Sequence, residues 1–175
     1  MRLLPILFTA LVVGGCASKV PVDIRQAVPN SPGVATARQD PGAHVGREVR
    51  WGGSIAEVEN RENATWIEVV ARELGSGGRP ESGDRSLGRF LLKVEGFLDP
   101  AVYSRGREVT ARGVLAEAVT RKIGQYPYRF PVLEARALYL WPPREEPRYE
   151  RYDHYPPPWY YDPWFPYRYP YYPYW

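Results

Sequence analysis

The sequence of 175 residues contains very few of the side chains that hold metals or act as nucleophiles. It has one cysteine, Cys16, and two histidines, His44 and His154, which stand in opposite extensions of the chain. A metal site needs several converging ligands, and a catalytic cysteine needs a neighbouring base. A lone cysteine also excludes a disulfide within the chain. We therefore predict no catalytic, metal-binding or cofactor-binding residues, and no enzymatic activity.

An excess of charge of one sign is also lacking. Charged residues make up 25% of the chain, but their formal sum is only +3, and arginines alternate with acidic residues along the sequence. Proteins that bind nucleic acid concentrate basic residues on one surface, so we predict no nucleic acid partner. Glu57 and Glu59 share one face of a strand, but their position beside the turn at Asn60 and Arg61 indicates a solvated surface rather than a catalytic pair.

Long apolar runs are absent except at the N-terminus, where Arg2 precedes the apolar residues 3–13. This run is too short to span a bilayer and is typical of the core of a signal peptide. The residues Val-Gly-Gly-Cys that follow, ending at Cys16, resemble the bacterial lipobox, in which lipid is attached to the cysteine before cleavage. We predict a signal peptide over residues 1–15 and attachment of acyl chains such as palmitate at Cys16.

Ala17 follows the predicted lipid-bearing cysteine. In lipoproteins of two-membrane bacteria, an aspartate at this position usually retains the protein in the inner membrane, so by this resemblance its absence indicates the outer membrane. Residues 16–39 contain scattered Pro, Ser and Gly and no apolar period, and we predict that they form the lipidated N-terminus and a linker. The folded domain is then expected to face the periplasm.

The central part of the chain has the pattern of short strands. Val49, Trp51 and Ile55 alternate with polar residues, and the apolar phase then slips, which predicts a β-bulge within residues 52–56. Residues 65–73 supply the second strand of a hairpin, and residues 75–88 form a mobile surface loop. Further strands are expected at residues 89–96, 108–119 and 132–141, with a loop through Pro127 and Pro131 before the last one.

A short helix is predicted at residues 99–106, because Asp99 can cap it, Pro100 suits its first turn and Gly106 can end it. Two strands, a loop, a strand, a short helix and two strands is the order of a five-stranded Greek-key barrel of the OB type. An SH3-like barrel and an open β-sandwich are the alternatives. We expect an all-β domain over residues 40–142, with Trp51 and Phe90 in the core; its other notable aromatics are Trp66, Phe97, Tyr103 and Tyr139.

The C-terminal residues 143–175 are built largely from Pro, Tyr and Trp, and we call them the tail. Proline excludes helix and interior strand there, so an extended polyproline-like arm is expected. Its rings suit a membrane interface or a protein partner, or could stack on glycan. A low-complexity tail with no specific function is the third possibility.

Several segments of the body together resemble the Slp-type (starvation-inducible) outer-membrane lipoprotein family. They are GREVRWGGSI, the Thr-x-Ile-Glu-Val run from Thr65, GRFLLKVEGFLDPAVYSRGREVTARG and PYRFPVLEARALYLWP. The resemblance runs from Pro41 to Pro142 and implies a lipid anchor in the outer membrane, a small β-domain and no catalytic site. We therefore expect a non-enzymatic, structural or stress-related lipoprotein of the cell envelope. The alternative is a periplasmic binding module that takes glycan or an envelope protein through barrel and tail aromatics.

Overall fold

The computed structural model describes residues 19–145 and divides the chain into two compact units, the first ending at Pro143 and the second beginning at Arg144. Cys16, His154 and nearly all of the tail lie outside the described residues. In chain order the elements are α1 Val22–Arg25, α2 Val34–Gln39, a 3-10 turn Gly42–His44, β1 Glu48–Asn60, β2 Ala64–Arg72, β3 Arg89–Glu95, β4 Glu108–Ile123 and β5 Tyr126–Leu140.

The five strands close into a barrel in the order β1-β2-β3-β5-β4. Strands β3 and β5 run parallel, and every other neighbouring pair is antiparallel. This order and these directions are those of the OB Greek-key barrel. The prediction of an all-β, OB-like barrel is confirmed, and the SH3-like barrel and the open sandwich are excluded.

A β-bulge lets β1 pair with two neighbours. Its first half pairs with β4, its second half pairs with β2, and the register shifts between Ile55 and Glu57. Gly53 lies where β1 and β2 approach most closely, since a Cβ atom there would overlap the carbonyl oxygen of Val70. The bulge is therefore where the sequence predicts it, and glycine is required beside it because no side chain fits.

The barrel interior is filled by the inward-facing residues of all five strands. Phe90 is fully buried, and Trp51 packs against it edge to face, with ring centroids 5.3 Å apart. The predicted core positions of both rings are confirmed. Leu98 and Tyr103, from the connection between β3 and β4, pack against the same core.

The helix predicted at residues 99–106 is wrong. Asp99 does cap the backbone of Ala101 at 2.8 Å, and its carbonyl accepts from Val102 and Tyr103, but the chain then leaves after a single turn. Gly106 has φ +86°, as expected for a residue that ends a turn. The chain returns to the barrel at once through Gly106 N–H, which donates to Ile55, so the turn cannot extend into a helix.

Residues 22–39 form short helices on the barrel rather than a free linker. Ile24, Val34 and Ala37 are buried, and the last two belong to the main core. In α2, Val34 lies beside Gly88, just before β3, and Arg38 lies over the Tyr128 ring of β5, 5.0 Å from its centroid. The helices have only 4 and 6 residues, too few to show an apolar period in the sequence.

Two further expectations fail. Strand β5 continues through Pro127 and Pro131 instead of beginning after them, which proline allows at edges and irregular positions of a sheet. The first part of the predicted mobile loop is folded back: Leu74 bridges to Pro80, and the carbonyl of the buried Gly78 accepts from Thr110 at 2.7 Å. This segment packs because Gly78 brings its backbone against Ile24.

Candidate functional site

Two surfaces of the barrel carry the features from which a function can be argued. The first is the outer face of β1, with neighbouring residues of β2 and β4, where the N-terminal segment crosses it. The second is the outer face of β2 and β3, which in OB folds is the usual binding surface.

The N-terminal segment is fixed to the barrel by arginines of the strands. Arg50 donates through Nη1 to the carbonyl oxygens of Ile24 at 2.9 Å and Arg25 at 2.6 Å. Arg112 binds Glu48 at 3.0 Å and reaches Asp23 of α1 at 3.4 Å. The hydrogen bond from Arg112 lowers the pKa of Glu48, and the same bond raises the pKa of Arg112.

Residues 27–33 then form an arch over the edge of the barrel. Trp51 donates through its indole Nε1 to the carbonyl of Pro32 at 3.0 Å, and Arg47 donates to the carbonyl of Asn30. Asn30 has φ +53°, a left-handed conformation that asparagine tolerates better than most residues. The arch is therefore held by side-chain donors from β1 and from the residue just before it.

A pocket of about 270 Å³ lies between the arch and the barrel. Its apolar lining comes from the arch, from Leu74 after β2 and from Leu87 before β3. Its charged lining consists of Arg50, Arg72 and Glu73, of which both arginines are half-buried and Glu73 is exposed at the rim. Burial lowers the pKa of Arg50, and the neighbouring cation Arg112 lowers it further.

The usual OB binding face is covered by the protein itself. The β4–β5 hairpin extends past the barrel and folds over β3, so that Leu91, Phe130 and Val132 form a second buried cluster. Trp66 of β2 packs at the edge of this cluster. The surface that could stack bases or sugars is thus occupied by the hairpin.

Two guanidinium groups lie over the ring of Trp66. Arg61 and Arg121 are centred 5.0 and 5.1 Å from its ring, and Glu59 binds them at 2.8 and 3.0 Å. The hydrogen bond from Arg61 and the charge of Arg121 lower the pKa of Glu59. Glu59 therefore has a structural partner on either side, and Glu57 is exposed, so the two acids do not form a paired site.

Of the other named aromatics, Tyr139 packs edge to face on Trp141 with centroids 4.8 Å apart, and Phe97 is 73% exposed. Phe97 is held outward because buried Thr65 accepts from Leu98 N–H and donates to the Gly96 carbonyl. Among residues 19–145 there is no group of potential metal ligands and no helix long and apolar enough to cross a membrane.

Sequence reasoning missed the pocket. Arg50 and Arg72 look like ordinary outward residues of two strands in the alternating pattern. The available signal is the apolar content of the arch, whose Ala27, Val28 and Pro32 fall in a segment that otherwise resembles a linker. Nothing in the sequence shows that this segment lies over those two arginines.

Comparison with known proteins gives a family. The sequence model of the "Outer membrane lipoprotein Slp family" matches residues 13–175. The chain is 37% identical to the "Uncharacterized lipoprotein YeaY" of Escherichia coli K12 over 75% of this chain and 68% of that one. It is 29% identical to the "Outer membrane protein Slp" of the same organism over 80% of this chain and 74% of that one.

Among solved structures, the chain is similar to a small single-stranded DNA-binding protein from Streptomyces coelicolor, with a TM-score of 0.35 and 15% sequence identity. The likeness covers 54% of this chain and 92% of that one.

Proposed function

Because this chain belongs to the Slp family of outer membrane lipoproteins, we propose that it is held in that membrane by acyl chains on Cys16. The barrel faces the periplasm and has a non-enzymatic, structural or stress-related role in the envelope. Cys16 stands three residues before the first described residue, Lys19, and is the only cysteine of the chain.

The observation that supports this proposal most is the burial of Ile24, whose side chain is fully inaccessible to solvent. It shows that the chain is already packed on the barrel a few residues after Cys16. Cys16 and Ile24 are eight positions apart, so the tether spans at most about 26–29 Å when fully extended. A linker that ran to residue 39 would allow nearly three times that reach. The short tether holds the barrel against the membrane surface instead of letting it range through the periplasm.

Several acyl chains on one residue make such attachment durable. A single chain binds a membrane only marginally, whereas additional chains each add the transfer free energy of their methylenes. A short tether and stable attachment confine the barrel to the periplasmic surface of the membrane. This position suits a role in maintaining the envelope.

The alternative function, a glycan-binding or partner-binding module, has less support from the barrel. Trp51 and Phe90 are core residues, and Trp66 is enclosed by two arginines and the hairpin. Of the aromatics named for this role in the described part of the chain, Phe97 alone is largely exposed. This alternative therefore depends on Phe97 and on the tail.

The test is intact mass and membrane fractionation in a two-membrane bacterium, comparing the natural protein with Cys16→Ala. We expect a mass that begins at a lipid-modified Cys16, recovery with the outer membrane, and loss of both in the variant. An unmodified, soluble natural protein would overturn the proposal. Residues 19–145 contain no cysteine, so this variant leaves the described domain unchanged.

A further inference from the structure

Within the described part of the chain, the two arginines of the pocket have no counter-ion. Neither Arg50 nor Arg72 pairs with a carboxylate among residues 19–145, although most other half-buried arginines of the barrel do. Withdrawing a cation from water without a paired charge is unfavourable. Two such groups facing one small cavity therefore indicate a partner that residues 19–145 do not supply.

Both guanidinium groups have N–H donors without an acceptor among residues 19–145. Arg50 uses Nη1 for two backbone carbonyls, and Arg72 uses Nε for a 3.3 Å contact with Ser54 Oγ. The other N–H groups of both side chains have no hydrogen-bond partner in the described part of the chain. An arginine fork with free donors matches the oxygens of a carboxylate or phosphate.

The rest of the pocket is apolar and small. Its volume of 270 Å³ corresponds to about nine water molecules at liquid density. It is slightly smaller than the pockets that take drug-sized ligands. Its apolar lining includes Leu74, Leu87 and the arch residues Val28 and Pro32.

We propose that this pocket binds a small amphipathic anion, with its carboxylate or phosphate head between Arg50 and Arg72 and a short apolar body against Leu74, Leu87 and the arch. Glu73 at the rim opposes such a ligand, and its nearest cation, Arg85, is 3.9 Å away. Two arginines and one glutamate leave the lining with one net positive charge, so an anion is favoured over a neutral or cationic ligand.

The arch supplies a reporter of binding. Trp51 contributes to the pocket wall, and its indole N–H donates to the carbonyl of Pro32 in the arch. A ligand under the arch lies beside this hydrogen bond, so we expect it to change the surroundings of the indole N–H. The Trp51 indole signal is a built-in reporter of occupancy.

The experiment uses the mature lipoprotein in lipid nanodiscs, labelled with nitrogen-15 at tryptophan, and titrated with hexanoate, hexyl phosphate or hexanol. We expect the Trp51 indole resonance to shift saturably with at least one of the two anions and not with hexanol. The comparison of hexanoate with hexyl phosphate shows which head group the arginines prefer. Absence of a saturable shift with both anions, or an equal shift with hexanol, overturns the proposal.

Three variants separate the pocket from general charge effects. Arg72→Gln should weaken anion binding about tenfold or more, because it removes a charged donor. Glu73→Gln should strengthen binding several-fold, a gain that a misfolded protein could not give. Arg121→Gln, at a residue outside the pocket lining, should leave the affinity unchanged. A loss equal to that of Arg72→Gln would contradict the proposal.

Discussion

Two outer surfaces of the barrel each present a pair of arginines, and the surroundings of the two pairs differ. Arg61 and Arg121 enclose Trp66 and share Glu59, so every charge there has a partner within the chain. Arg50 and Arg72 line a cavity and have no carboxylate partner among residues 19–145. The charges around Trp66 are neutralised within the fold, whereas the two arginines of the pocket have no carboxylate partner in the described part of the chain. The same side chain thus indicates structure in one place and binding in the other.

The largest expected effect concerns the β4–β5 hairpin, which packs over β3 beside Trp66. Phe130→Ala removes a fully buried ring from the second cluster and should lower the free energy of unfolding by about 3–5 kcal/mol. Urea denaturation measures the change. Phe97→Ala is the matched control, since its ring is 73% exposed, and should change stability by about 0.5 kcal/mol or less. Equal effects would mean that the hairpin does not cover the barrel in solution.

The next effect tests the surface under the N-terminal segment. Ile24→Ala should destabilise the protein by about 2–4 kcal/mol, because a fully buried side chain leaves a cavity between α1 and the barrel. Val22→Ala, at an exposed position of the same helix, is the control for helix propensity. Thermal unfolding of both variants gives the comparison. If Ile24→Ala is as mild as its control, α1 is a free linker after all.

A smaller, pH-dependent effect is expected at Glu59. Its hydrogen bond from Arg61 lowers the pKa in the folded state, so the carboxylate stabilises the fold above its unfolded pKa and loses this contribution as pH falls through the folded pKa. The pair is partly exposed, so the contribution should be about 1 kcal/mol or less. The stability deficit of Glu59→Gln should therefore be largest at pH 7 and should shrink as pH falls below the ordinary glutamate pKa of 4.5. The opposite slope with pH would contradict the assigned partners.

The smallest effect is expected at the pocket. Arg72→Met should change the free energy of unfolding by about 0.5 kcal/mol or less, since the side chain has no carboxylate to lose and its stem still covers apolar surface. Denaturant unfolding without added anion measures this. A loss of several kcal/mol would show that Arg72 has a structural partner, and the contrast between the two arginine pairs would disappear.

The barrel could be predicted from sequence because its signals are local. Alternation at Val49, Trp51 and Ile55 gives a strand, and the phase slip after Ile55 gives the bulge. The predicted helix at residues 99–106 was wrong because it was inferred from a cap, Asp99, and a terminator, Gly106. Neither residue indicates that the chain must rejoin the barrel after a single turn. Strand β5 was placed too late because proline excludes only interior positions with a required donor.

The site could not be predicted, because it consists of relations between distant segments. The burial of Ile24 depends on Gly78, and the lack of a counter-ion at Arg72 depends on what the arch contains. Neither fact is visible in a window of neighbouring residues. The predicted lipid site differs in this respect, because a local sequence pattern alone indicates Cys16. Cys16 itself lies outside the described residues.

The most direct test of the central proposal is a measurement of how closely the lipidated domain is held to the membrane. Glu117→Cys provides an exposed thiol for a fluorophore, since the proposed acylation would consume the thiol of Cys16. Acceptor lipids in reconstituted vesicles then report the distance of the fluorophore from the membrane by energy transfer. A flexible insert of about 20 Gly and Ser residues after Ala17 adds roughly 25 Å to the tether. We predict strong energy transfer in the natural length and a clear decrease with the insert. Weak transfer in both, or no change between them, would contradict a barrel held at the outer membrane by a short lipidated tether.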